Sequence, residues 1–177
     1  QDRAGKGHAT AAADMLQHAI GASQRIMMNL RPPILDQGLV AAVQWLASSF
    51  ERRTGVTTVV RTSSGAVDIP AEVQLVAYRT AQEALTNVAK YAAPQSVHIE
   101  LADSEGVLTL EVADDGCGIE PAMREKPKAF GLKGLQERAR TVNGWLDISS
   151  HPGKGTSVIL SVPLASRHNA PDEGASQ

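Results

Sequence analysis

The feature that most constrains the fold is the arrangement of the β-type segments, which come in pairs. Residues 96–102 and 107–113 alternate apolar and polar side chains around a four-residue turn that ends in Gly106. Residues 145–149 and 156–162 repeat this pattern around a glycine-rich turn. Strands joined by such short turns are antiparallel, because a parallel connection needs a crossover of a dozen residues or more. Repeated βαβ units are therefore excluded for these four segments.

Segments of helical periodicity surround these pairs. Apolar residues recur at helical spacing over residues 39–53, 70–91 and 132–142. A β-branched segment, residues 56–62, lies between the first two and predicts a further strand. This order predicts an α+β fold, a two-layer α/β sandwich with helices on one face of a mixed, mostly antiparallel sheet.

A further helix is predicted before this domain, over residues 11–30. Its spacing is typical of a coiled-coil seam and equally of one apolar face packed on its own domain. The seam residues are Leu16, Ile20, Ser23, Met27 and Leu30. We expect residues 1–33 to hold a polar, disordered leader and this helix, residues 34–165 to form the main domain, and residues 166–177 to be a disordered tail.

Composition narrows the classes of function. With 17 basic and 19 acidic residues the net charge is −2, which lacks the basic excess of a nucleic-acid-binding protein. No apolar run approaches the ~18 residues of a membrane span, and the single cysteine makes an internal disulfide impossible. We expect the chain, which begins at Gln1, to be part of a longer protein, whose membrane attachment stays open.

The helix over residues 70–91 carries the first candidate site. Glu83 and Asn87 are four residues apart and therefore share one face of the helix. Their oxygens suit Mg²⁺, which takes oxygen ligands and keeps several waters, and Lys90 near the same face suits a phosphate. The alternative is the solvated face of an ordinary amphipathic helix.

Three glycine-containing motifs follow. Residues 114–119, Asp-Asp-Gly-Cys-Gly-Ile, come directly after a strand, where an aspartate can accept a hydrogen bond from an exocyclic amine such as that of adenine. Residues 131–135, Gly-Leu-Lys-Gly-Leu, open a helix whose backbone N–H groups suit an anion. Residues 153–156, Gly-Lys-Gly-Thr, lie between two strands. Each motif alone is also explained as an ordinary turn, in which Cys117 is a small turn residue. Only the order and spacing of the motifs together indicate a particular kind of site.

Taken in order, these four motifs resemble the nucleotide site of two-component sensor histidine kinases, and more widely the ATP-binding fold of gyrase, these kinases and MutL. Residues 30–39, Leu-Arg-Pro-Pro-Ile-Leu-Asp-Gln-Gly-Leu, are similar to the junction between dimerisation helices and catalytic domain in the subfamily that signals to NarL-type response regulators. The resemblance covers residues 11–165, with residues 11–30 matching the second dimerisation helix.

The resemblance implies a role for each matching residue. Asn87 would ligate Mg²⁺, Glu83 would orient a water or take a proton beside it, and Lys90 would face the phosphates. Asp114 would bind the adenine amine of ATP, and Thr156 would help to close that side of the pocket. The remaining residues implied to contact the nucleotide are Gly116, Gly118, Ile119, Gly131, Leu132, Gly134 and Leu135. Residues 120–130 would form a short, mobile lid.

The same resemblance implies a cytoplasmic protein kinase domain that transfers the γ-phosphoryl group of ATP to a histidine outside this chain, for relay to an aspartate of a NarL-type response regulator. No histidine here has the following acidic residue of a phosphoacceptor, and His18 is followed by Ala19. We therefore expect a homodimer in the full-length protein but weak dimerisation of this chain. Tyr91 departs from the family, which usually has histidine there. The alternatives are a nucleotide-binding regulatory module without phosphotransfer and an anti-sigma-factor-type Ser/Thr kinase.

Overall fold

The computed structural model describes residue 15 and residues 30–63, 68–119 and 131–164, with only the backbone of Leu132. Residues 34–63, 68–119 and 131–164 belong to one compact unit, which is separate from the segment before residue 34. Four predictions lie outside the described residues: the disordered leader before residue 11, the helix over residues 11–30, except for residues 15 and 30, the lid over residues 120–130, and the tail from residue 166.

The helices and strands follow the predicted order. They are a 3₁₀ helix Pro33–Gln37, α1 Leu39–Thr54, β1 Thr57–Ser63, α2 Ala71–Asn87, a π-helical turn Val88–Ala92, β2 Ser96–Ser104, β3 Val107–Asp114, α3 Leu132–Thr141, β4 Trp145–Ser150 and β5 Thr156–Pro163. The 3₁₀ helix and the π-helical turn were not predicted. The helix predicted over residues 70–91 is confirmed as a helical span over residues 71–92, of which the last five residues are the π-helical turn.

Five strands form one mixed sheet in the order β1-β2-β3-β5-β4. The pair β1–β2 is parallel and is connected through α2, whereas the other three pairs are antiparallel. The mostly antiparallel, mixed sheet of an α+β sandwich is therefore confirmed. Hairpins join β2 to β3 and β4 to β5, so both hairpin predictions are also confirmed.

The hydrophobic core lies between the helices and one face of the sheet. Alternate residues of the central strands are buried, for example Ile99 of β2, Leu110 of β3 and Leu160 of β5. Small side chains on α2, such as Ala77 and Ala81, are completely buried and let the helix lie close to the sheet. Within the described part of the chain, no helix has both the length and the apolar character needed to cross a membrane.

Candidate functional site

An open cavity of about 230 Å³ lies between α2 with its π-helical turn and the adjoining ends of β3, β4 and β5. Its wall is largely apolar, and its polar groups include the amide of Asn87 and the carboxyl group of Asp114. The described residues that line it are Ala84, Asn87, Val88, Tyr91, Ala92, Val112, Asp114, Cys117, Gly118, Ile119, Ile148, Thr156 and Val158. A concave, mostly apolar site with a few polar groups suits a flat organic ligand.

Five of the candidate residues from the sequence meet in this wall: Asn87, Asp114, Gly118, Ile119 and Thr156. They come from α2, from the end of β3 and its following loop, and from the first residue of β5. Residues up to 69 positions apart in the chain thus share one cavity.

The other candidates lie around the cavity without lining it. Lys90 is exposed on the π-helical turn, and Glu83 is half-buried one turn before Asn87. Gly134 lies in α3 near the guanidinium of Arg138, at 3.9 Å from its ideal β carbon. Leu135 is buried, with 2% of its surface exposed. The side chain of Leu132 lies outside the described residues, and Gly116 and Gly131 make the close contacts set out below.

Contacts with two neighbouring elements hold the loop after β3. A β carbon at Gly116 would collide with the carbonyl oxygen of Ala92, so only glycine permits this approach to the π-helical turn. The amide of Cys117 donates to that same oxygen at 2.8 Å, and on the other side the carbonyl of Cys117 accepts the Gly153 amide at 2.7 Å. The loop is therefore clamped between the π-helical turn and the turn that joins β4 to β5.

Asp114 presents a half-buried carboxylate in the cavity wall. Its Oδ1 accepts the amide of Gly116 at 2.8 Å. Burial raises the pKa of Asp114 above its ordinary value, and the backbone amides of Gly116 and Thr156 partly oppose this by stabilising the charged form. This carboxylate is a hydrogen-bond acceptor in a mostly apolar wall, which suits recognition of an amine.

Asp115, the next residue, has a different role that the sequence did not separate from that of Asp114. Its Oδ1 accepts the amides of Gln95 and Ser96 at 2.8 and 2.9 Å, and its Oδ2 accepts the Ser96 hydroxyl at 2.8 Å. These bonds hold the pKa of the exposed Asp115 carboxyl below its usual value. Asp115 therefore ties the loop to the beginning of β2. The end of the strand alternation at residue 114 is the signal that distinguishes the two aspartates.

Sequence reasoning also missed Ser150, the last residue of β4. Its Oγ accepts the amide of Ile119 at 2.7 Å and lies 2.8 Å from Oγ1 of Thr156. Ile119 and Thr156, which both line the cavity, thus form hydrogen bonds with the same Ser150 hydroxyl. The alternation of β4, whose Leu146 and Ile148 are the more buried positions, places residue 150 on the same inward face and was the available signal.

On the side of the cavity formed by α2, the amide of Asn87 and the carboxylate of Glu83 lie one helical turn apart. Asn87 lines the cavity, and Oε1 of Glu83 lies 2.5 Å from the ideal β-carbon position of Gly131 at the start of α3. No group of three histidine, cysteine, aspartate or glutamate side chains suited to a metal occurs among residues 30–63, 68–119 and 131–164. The donors present, an amide and a carboxylate oxygen, fit a Mg²⁺ ion that takes its other ligands from waters and a phosphate.

The chain is similar to known proteins over this domain. Residues 72–166, more than half of the chain, match the family described as histidine kinase-, DNA gyrase B- and HSP90-like ATPase. The signal transduction histidine-protein kinase/phosphatase DegS of Brevibacillus brevis is 30% identical over 85% of this chain and 39% of its own length. The oxygen sensor histidine kinase NreB of Staphylococcus carnosus is 37% identical over 80% of this chain and 41% of its own length. The chain thus spans about two-fifths of these relatives.

Solved structures give the same fold. The blue-light activated histidine kinase of Erythrobacter litoralis EL346 superimposes with a TM-score of 0.55 at 25% identity, over 71% of this chain and 41% of that one. Its separate histidine kinase domain gives 0.54 at 24% identity, over 70% and 61%. The chain belongs to the histidine kinase-, DNA gyrase B- and HSP90-like ATPase family, and within that family it is similar to sensor histidine kinases.

Proposed function

We propose that this domain binds Mg·ATP in the cavity and transfers the γ-phosphoryl group to a histidine outside this chain, for relay to an aspartate of a NarL-type response regulator. The observation that carries the proposal is the meeting of Asn87, Asp114, Gly118, Ile119 and Thr156 in one cavity wall of a domain from this ATPase family.

The adenine ring is assigned to the apolar part of the cavity. Asp114 accepts a hydrogen bond from the exocyclic amine, and its two backbone donors stabilise the charged form, partly opposing the rise in pKa that burial causes. Gly118, Ile119 and Thr156 contact the base side, and Gly116 allows the loop to approach the π-helical turn. Guanine carries an oxygen in place of the amine, so that the same carboxylate repels it.

The phosphates are assigned to the side of α2 and the start of α3. Asn87 would ligate Mg²⁺, Glu83 would orient a water or take a proton beside it, and Lys90 would face the phosphates. An ion held there would supply positive charge beside the transferring group, since positioning and electrostatics supply most of the catalysis in phosphoryl transfer. The backbone around Gly131, Leu132, Gly134 and Leu135 flanks the lid of residues 120–130 and offers N–H groups to the phosphates.

The proposal also assigns the parts of the chain to the regions of a longer histidine kinase. Residues 11–30 are assigned to the second dimerisation helix, residues 34–165 to the catalytic domain and residues 166–177 to a tail. Because a dimerisation bundle takes two helices from each protomer, the full-length protein is a homodimer and this chain dimerises weakly. The partners are ATP, ADP and the response regulator, the domain lies in the cytoplasm, and no nucleic acid is bound directly.

The test is an incubation with ATP labelled at the γ-phosphate, with and without a full-length copy that carries the phosphoacceptor histidine and has Asn87→Ala in its own site. Acid-labile label on the full-length copy, and none on this chain alone, supports the proposal. Acid-stable label on a protein substrate would instead indicate a Ser/Thr kinase. Nucleotide binding without transfer to any protein would indicate a regulatory module.

A further inference from the structure

Ser150 has a buried hydroxyl at a position where the alternation of β4 predicts an apolar side chain. It ends β4 on the inward face, after Leu146 and Ile148, and only 8% of its surface is exposed. Burial of a hydroxyl is unfavourable unless its hydrogen bonds are made inside the protein. The partners of this hydroxyl therefore indicate why a serine is tolerated there.

Three contacts from three segments converge on Oγ of Ser150. The Ile119 amide, in the loop after β3, donates to it at 2.7 Å. The carbonyl oxygen of Gly155, in the β4–β5 turn, lies at 3.2 Å, and Oγ1 of Thr156, the directly opposite residue on β5, lies at 2.8 Å. Ile119 and Thr156 both line the cavity, whereas Ser150 does not.

The proton count shows that these contacts use the whole capacity of the hydroxyl. A serine Oγ has one proton to donate and two lone pairs that accept. The Gly155 carbonyl can only accept, so it takes the Ser150 proton, while the Ile119 amide and the Thr156 hydroxyl each donate to one lone pair. All three contacts are satisfied together only in this arrangement. Within the described residues, these three contacts account for the one proton and both lone pairs of the Ser150 hydroxyl.

We infer that Ser150 is a positioning residue for the base end of the nucleotide site, acting through Ile119 and Thr156 rather than by contact with the ligand. The inference rests on the proposed function, since it assigns the base to this wall. The backbone amide of Thr156 also stabilises the charged form of the Asp114 carboxylate, so Thr156 connects the Ser150 hydroxyl with the group that reads the base. Removal of the Ser150 hydroxyl leaves the Ile119 amide without its acceptor and lets the Thr156 hydroxyl rotate.

The main experiment compares Ser150→Ala with Ser149→Ala by calorimetric titration of Mg·ADP. Ser149 is the adjacent residue and is exposed on the opposite face of β4, so its substitution removes a hydroxyl without touching the wall. We expect Ser150→Ala to raise the Kd for Mg·ADP about tenfold, in line with the loss of a buried hydrogen bond, and Ser149→Ala to leave it within about twofold. Magnesium pyrophosphate, which has no base, should bind the wild type and both variants equally.

A double-variant cycle separates positioning from general loosening of the fold. If Ser150 acts through Thr156, the combination of Ser150→Ala with Thr156→Val should raise the Kd by less than the product of the two single increases, because both remove one shared interaction. Should Ser150→Ala not fold, Ser150→Cys is measured in its place, since a thiol of similar size is a poor acceptor and should shift the Kd in the same direction.

The outcomes distinguish failure of the inference about Ser150 from failure of the proposed function. Binding of Mg·ADP by the wild type, with an unchanged Kd in a folded Ser150→Ala or Ser150→Cys protein of lower Tm, would overturn the inference and leave the proposed function standing. An equal weakening of pyrophosphate binding would also overturn it. No binding of Mg·ADP by the wild type would overturn the proposed function and this inference with it.

Discussion

The α carbon of Gly131 lies against the carboxylate of Glu83, so close that a β carbon there would stand 2.5 Å from Oε1. Gly131 has a left-handed backbone, with φ of 63°, and directly precedes the first residue of α3. A side chain at residue 131 would therefore have to displace the Glu83 carboxylate, which is the flexible end of the glutamate side chain.

This relationship predicts that Gly131→Ala displaces Glu83 or the first turn of α3. Gly55→Ala is the matched control, because Gly55 has φ of 73° and its β carbon would meet nothing within 4 Å. Both variants should lose about 1–2 kcal/mol of stability from the left-handed backbone. Only Gly131→Ala should also slow phosphotransfer to the full-length acceptor, by about tenfold or more, as expected for misplaced reacting groups. Equal rates in the two variants would show that the contact has no role in transfer.

Asp114→Asn should weaken binding of ATP by about 1.5–3 kcal/mol, the contribution of a charge-assisted hydrogen bond. Its amide oxygen can still accept the Gly116 amide, so the loop should keep its form. Glu100→Gln is the control, since it removes a carboxylate from an exposed position on β2. Calorimetry with ATP measures the effect, and an affinity equal to that of Glu100→Gln would contradict the role of Asp114.

Asn87→Ala should abolish most of the magnesium-dependent part of nucleotide binding and leave the magnesium-free part nearly unchanged. The reason is that Asn87 is assigned to the ion and Asp114 to the base. Titrations with and without EDTA measure both parts, and Gln136→Ala, an exposed amide on α3, is the control. A wild type with the same affinity for ATP in magnesium and in EDTA would refute the assignment.

The loop after β3 should become less stable in acid because of Asp115. Three hydrogen bonds favour its charged form and lower its pKa in the folded state. A depressed carboxyl pKa contributes stability that is present above the unfolded pKa, about 3.9, and is lost as the pH falls through the folded value. Tm should therefore fall less between pH 5 and pH 3 in Asp115→Asn than in the wild type. Parallel Tm curves for the two proteins would exclude this contribution.

Local patterns predicted most of the fold, because hairpin turns and helical periodicity are properties of contiguous residues. The parallel pairing of β1 with β2 depends on how α2 crosses the sheet, which no local pattern specifies. The π-helical turn was missed for a similar reason. Its Ala92 carbonyl is held by the Cys117 amide, a contact between residues far apart in the chain.

In the candidate site, too, local motifs predicted some residues, whereas others are recognised only by contacts between residues far apart in the chain. Motif order located Asn87, Asp114 and Thr156, whose side chains or backbone do line one cavity. Two residues that act through others, Ser150 and Asp115, were missed. Strand alternation indicates that residue 150 faces inward and that β3 ends before Asp115, but it does not indicate their partners. Their roles follow from the contacts with Ile119 and Ser96.

The central claim is that this cavity binds adenine nucleotide, and calorimetric titration of the wild-type chain with Mg·ATP and Mg·GTP tests it most directly. We predict saturable binding of Mg·ATP and no measurable binding of Mg·GTP at the same concentrations, because Asp114 accepts from the adenine amine and repels the guanine oxygen. Absence of ATP binding at millimolar nucleotide, or equal affinity for the two nucleotides, would contradict the account.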